Sequence, residues 1–159
     1  MGLLSELTYT HLEVTSAIDK IEKKIADARR LRHESDDVQP LLAELVPWAN
    51  GLRAILLGYF RHQQENLFPR MQRVFGADLE ELFLLSKYHR LIIEALDEFV
   101  DELPDAQDES EALFQPMHIA YLELLFDDFV ELYERHCVME RKFYETYSTI
   151  LFPGGAIAD

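Results

Sequence analysis

Glu134-Arg135-His136-Cys137-Val138-Met139-Glu140 lies inside an unbroken run from about Pro116 to Leu151, and its spacing decides how the chain is read. Leu122, Leu125, Phe129, Leu132, Tyr133, Phe143 and Tyr147 recur every three or four positions, and His136 and Glu140 fall on the same stripe. That period is helical, and it puts an imidazole and a carboxylate on one face, one turn apart. Alone, such a pair describes a partly buried histidine beside a solvated acid as well as half of a metal site. The other segments must supply partners.

Three more segments share the period. Leu79 to Leu103 carries Leu82, Leu85, His89, Ile92, Ile93, Leu96, Phe99 and Val100, and Pro104 stops it before an acidic loop, 105–110. Val38 to Val74 turns Leu41, Leu45, Trp48, Leu52, Ile55, Leu56, Tyr59, His62, Gln63 and Asn66 to one side. His62 is at the edge of that arc and Glu65 outside it. Pro40 suits a first turn, whereas Pro47 and Pro69 are expected to bend or interrupt this segment. Gly76 reads as its terminator and Asp78 as the next N-cap. Leu3 to Arg32 places Leu4, Leu7, Thr8, His11, Val14, Thr15, Ile18, Ile21 and Ile25 inward, and Asp36 or Asp37 is a candidate cap for the second segment.

Four amphipathic segments with short connections predict an all-α fold, an up-down-up-down antiparallel four-helix bundle. No strand-like alternation competes. Residues 1–152 form one domain in this reading, and 153–159 a flexible tail. In such a bundle His11, Tyr59, Gln63, His89, His136 and Glu140 reach similar levels, to within roughly a turn or two at 1.5 Å per residue. Three inward histidines need partners for six ring nitrogens, which a metal would supply; imidazole and carboxylate suit iron, zinc or manganese. His33 and His118 belong to the opposite end, His118 about 27 Å along the helix from His136.

The 159 residues suit a single core, and 48% are apolar. Thirty acidic and fifteen basic residues give a net charge of -15, which opposes nucleic acid and anionic membrane surfaces. No apolar stretch is read as a membrane span and no secretory signal as a leader. The single cysteine, Cys137, excludes an internal disulfide and suits a reducing cytoplasm; it is expected as a small apolar residue on the helix flank.

Thr10-His11, Tyr59-Phe60-Arg61-His62-Gln63-Gln64-Glu65-Asn66-Leu67-Phe68-Pro69, Tyr88-His89-Arg90 and His136-x-x-x-Glu140 together resemble the hemerythrin-like (HHE cation-binding) family over nearly the whole chain. The resemblance implies a non-haem iron bundle, often di-iron. Its members bind oxygen, sense nitric oxide or oxygen, or repair iron centres. It puts His11, His89, His136 and Glu140 on ligand positions. Helix two departs, with Tyr59 where the family has its histidine and neutral Gln63 where it has its bridging glutamate. His62 and Glu65 are the substitutes to weigh.

Three states stay open: one iron held by His89, His136 and Glu140; a di-metal site altered by Tyr59 or assisted by His62; and a metal-free bundle whose polar residues bond one another. The corresponding functions are binding, sensing or reaction with O2, nitric oxide or peroxide in a pocket lined by Leu7, Leu56, Leu85, Leu132 and Tyr133; an interaction module for a protein partner; or an iron oxygenase or oxidase. Metal identity, oligomeric state and any enzymatic activity are open at this stage.

Overall fold

The computed structural model describes residues 3–33, 38–76, 79–103 and 116–151, all in four helical runs and their ends, with no strand among them. Helix α1 is Leu3–His33, α5 is Glu80–Asp101 and α6 is Pro116–Leu151. The second run is composite: α2 (Gln39–Ala43), α3 (Leu45–His62), a π-helical stretch Gln63–Leu67, and α4 (Phe68–Phe75). The all-α class expected from the periodicity is the class observed. The expected caps Asp36, Asp37 and Asp78, the acidic loop and the tail lie outside the described residues.

Prolines explain the divisions of the second run. Pro40 and Pro69 open α2 and α4, where a missing N–H costs nothing. Pro47 cannot bond the Ala43 carbonyl four residues back, and α2 gives way to α3 there. Pro69 likewise leaves the Glu65 carbonyl without its usual donor. The π-helical stretch spans that turn, and the Phe68 N–H bonds the Gln63 carbonyl five residues back. Gly76 ends α4 as expected, with φ +100° and ψ 162°, its N–H 2.9 Å from the Gln72 carbonyl.

α1 packs on α3 and α6, and α5 packs on α3 and α6. Across each pair, residue numbers rise on one helix as they fall on the other. Lys24 meets Glu44 while His11 meets Tyr59, and Arg53 meets Asp97 while Gln64 meets His89. Arg29 meets Glu123 while His11 meets Glu140, and His118 bonds the Glu102 carbonyl while Tyr147 reaches Glu81. Val14, Ile21, Leu52, Ile92, Phe99, Leu122, Phe126 and Phe129 fill the space between. Each such side chain contributes about 1.5–3 kcal/mol on burial, and Phe126 packs against both Phe99 and Phe129.

The stripes differ from expectation in places. Asn66 is exposed because the wider π turn advances fewer degrees per residue and rotates it out, while Leu67 turns in. Trp48 is 39% exposed, its ring at the α1–α3 seam under the Lys24 ammonium, 5.0 Å from the ring centre. Thr8 and Thr15 face outward. Although no membrane span was expected, Pro40–Phe75 is long and apolar enough to cross a membrane by length and composition, with a window of mean hydropathy 1.2. The same run is broken at Glu44 and carries Tyr59 and Gln63 on its buried side.

Candidate metal centre

Glu140 is the centre of the buried polar residues. It lies one turn beyond His136 on α6 and is 2% exposed. Its Oε2 accepts a hydrogen bond from His11 Nε2 at 2.7 Å. Its Oε1 accepts from the Tyr59 hydroxyl and from Gln63 Nε2. Gln63 Nε2 is also 3.0 Å from the Tyr59 oxygen and 3.1 Å from that of Tyr144. On the far side of His11, Nδ1 lies 3.1 Å from the Tyr133 hydroxyl and 3.3 Å from Cys137 Sγ. Helices α1, α3 and α6 and the first π-helical residue thus meet at one carboxylate. Gln63 keeps its inward aim because it starts the π stretch, before the altered turn accumulates.

His89 and His136 form a second group. Their Nε2 atoms are 3.0 Å apart, and both residues are buried. Phe60 stacks on His89 with ring centres 4.0 Å apart and meets His136 edge-on, so an aromatic wall separates the nitrogens from solvent. His89 Nδ1 pairs with the Gln64 amide at 3.2 Å, whereas His136 Nδ1 has no partner although fully buried. Gln63 Oε1 is unpartnered in the same way.

The charges are divided between the groups. Burial pushes the Glu140 carboxyl up, but the His11 bond, nearby His136 and the Tyr59 bond outweigh it and hold it below the usual range. The bond to Cys137, then the bond to Glu140, outweigh burial at His11 and raise it to about 10. The two shifts share the His11–Glu140 bond as a cause. Burial lowers His89 to about 3, with His136 adding to the effect, and lowers His136 to about 4 against the pull of Glu140. Burial raises the Tyr59, Tyr133 and Tyr144 hydroxyls above the phenol range, so they stay protonated donors.

Two neutral imidazoles are the form that coordinates a metal. A separation of about 3.0 Å is that of two nitrogens at right angles around a metal with bonds of about 2.1 Å. One proton shared between the two nitrogens satisfies the same geometry. Among the described residues, however, no group of three or more His, Cys, Asp or Glu is close enough to hold a metal ion. The expected set of His89, His136 and Glu140 is divided, because the carboxylate turns to His11, Tyr59 and Gln63. The donor types fit iron; their present arrangement is two pairs, His89 with His136 and His11 with Glu140.

All six inward residues singled out from the sequence are in these two groups. His62 and Glu65 are exposed, and His62 Nδ1 lies 3.2 Å from the Asn66 amide instead. His118 is at the opposite end, as expected, while the side chains of Leu7 and His33 are outside the described ones. Cys137 touches His11 and is not simply an apolar flank residue. Tyr144, Gln64 and the buried Phe60 were missed. Tyr144, four residues after Glu140, could have been found from the face it shares.

The class defined at this point is an all-α four-helix protein with a buried histidine, carboxylate and phenol cluster. No family model, curated protein or solved structure matches this chain.

Proposed function

We propose that the chain is an up-down-up-down antiparallel bundle of hemerythrin-like type, cytoplasmic, which holds a single iron between α5 and α6 and binds or senses a small molecule such as O2, nitric oxide or peroxide. The observation that carries this reading is the nitrogen pair: two buried, neutral imidazoles from different helices, Nε2 to Nε2 at 3.0 Å. His89 and His136 would be the ligands, and Glu140, one turn along α6, the anion that balances the charge. Zinc and manganese suit the same donors. Bound iron would supply reversible coordination and one-electron chemistry.

The chain's own residues prepare that place. Phe60 and Phe68 shield the imidazoles from water. Gln64 faces His89 Nδ1 at 3.2 Å; with its amide oxygen turned to that nitrogen it would accept the Nδ1–H and leave Nε2 free for the metal. The Tyr59 hydroxyl and the His11 imidazolium carry protons beside Glu140 and can donate hydrogen bonds to an anionic ligand. Neutral Gln63 in place of a bridging carboxylate favours one metal over two. The test is metal analysis with an optical spectrum of freshly purified protein, in the unaltered chain and in His89→Ala, His136→Ala and Glu140→Ala. Bound iron that drops in all three supports the reading; equal metal content in all four proteins sinks it.

One observation favours a second reading. Glu140 already has three protein donors, so the polar core is largely satisfied without a metal. A metal-free bundle would then serve as an interaction module, with Phe83, Tyr121, Leu124 and Val138 exposed on α5 and α6. In that case chelator leaves the melting temperature unchanged, whereas removing a native-state ligand lowers it.

A further inference from the structure

On the outer side of the α1–α3 seam lies an open groove of about 900 Å³, lined by both helices. Volumes of roughly 300–1,000 Å³ are those of small-molecule sites. Its apolar side is unusually uncovered: Leu12 is 65% exposed, Tyr9 61% and Trp48 39%, with Ile55 beside them. Apolar residues gathered on a concave surface mark a place that something else covers.

Charge is distributed along the groove. Tyr9 and Leu12 are at one end of α1, small Ser16 and Ala17 in the middle, and Lys20, Lys23 and Lys24 beyond. Lys24 is engaged by Glu44 at 2.5 Å and by the Trp48 ring. Among the described residues, neither Lys20 nor Lys23 has a carboxylate within ion-pair distance. Of the groove's acids, Asp27 faces Arg30 at 3.6 Å, and Glu13 lies at the apolar end. In a chain with thirty acidic residues, Lys20 and Lys23 place two cations without carboxylate partners among the described residues beside exposed aromatic surface. Leu12 and Lys23 are separated by about 16 Å along the helix.

We infer that the α1–α3 groove binds an amphipathic anion, a long-chain carboxylate whose apolar tail lies along Leu12, Ile55 and Trp48 and whose head is held by Lys20 and Lys23. The tail would cover the exposed apolar surface, and the lysine stems would pack along it while their ammonium groups stay wet. This site is independent of any metal in the bundle.

Trp48 is the only tryptophan, so its emission reports occupancy directly. The protein is titrated with dodecanoate below its micelle concentration, with dodecyltrimethylammonium and dodecanol in parallel and circular dichroism monitoring the fold. Dodecanoate is expected to give a saturable change at one per chain. Losing both lysines in Lys20→Ala/Lys23→Ala weakens binding about tenfold, as expected for two exposed ion pairs, and added salt does likewise. Leu12→Glu, which places a charge at the tail end without touching the lysines, also weakens it. An equal response to the cationic amphiphile, undiminished binding in either variant, or an emission change that follows chain concentration without any amphiphile overturns the assignment.

Discussion

Glu140 Oε2 and His11 Nε2 are 2.7 Å apart although 129 positions separate them in the chain. The contact joins α1 to α6, and it contributes to raising His11, after the bond to Cys137, and to lowering Glu140. Breaking a buried pair from one side leaves the other charge uncompensated. In metal-free protein, Glu140→Ala is therefore expected to lose about 3 kcal/mol, read as a lowered urea midpoint. His11→Ala is expected to lose less, since His11 is partly exposed and Glu140 keeps Tyr59 and Gln63.

Stability of the metal-free protein should fall on both sides of about pH 6.5. A histidine raised to about 10 stabilises fully below its unfolded value near 6.5, and that contribution is lost as pH climbs to 10. Histidines lowered to about 3 and 4 act in reverse: the unfolded chain takes up their protons first, so stability is lost as pH drops from 6.5. Glu140, also lowered, adds to the acid-side loss below the usual carboxylate range. Urea midpoints measured across this range check the prediction, and His89→Gln should flatten the acid limb while sparing the alkaline one.

His62→Ala and Glu65→Ala are expected to leave metal content unchanged, because both side chains face solvent. Metal loss in these variants equal to that in His136→Ala would move the site to the outer face of the second run.

The glycines divide sharply. At Gly76, φ +100° with ψ 162° is a region that essentially only glycine occupies, and Gly76→Ala should cost about 1–3 kcal/mol. Gly51 and Gly58 are inside α3 with nothing within 4 Å of an added Cβ, so alanine at either should gain about 0.5–1 kcal/mol. Thermal melts of the three variants would be ranked accordingly.

The helix period was legible because a long amphipathic face repeats the same instruction many times. Convergence of His11, Tyr59, Gln63 and Glu140 was legible too, from counting levels along facing helices. Asn66 was misplaced because a wheel at 100° per residue does not survive a π turn, and the only sign of that turn was Pro69. Phe60 was missed because the buried arc of α3 is wider than one stripe, reaching α5 as well as α1. The turn of Glu140 toward His11 rather than the imidazole pair depends on side-chain donors competing over a few ångströms, which periodicity does not encode.

Glu140 also sets a timetable. Its three partners are 129, 81 and 77 positions away, so every bond it makes closes a long loop. During synthesis, α1 and Tyr59 are complete well before Glu140 is added to the chain. The polar core therefore cannot form before α6 docks. A half-made chain contains His11, Tyr59 and Gln63 but not the carboxylate that joins them.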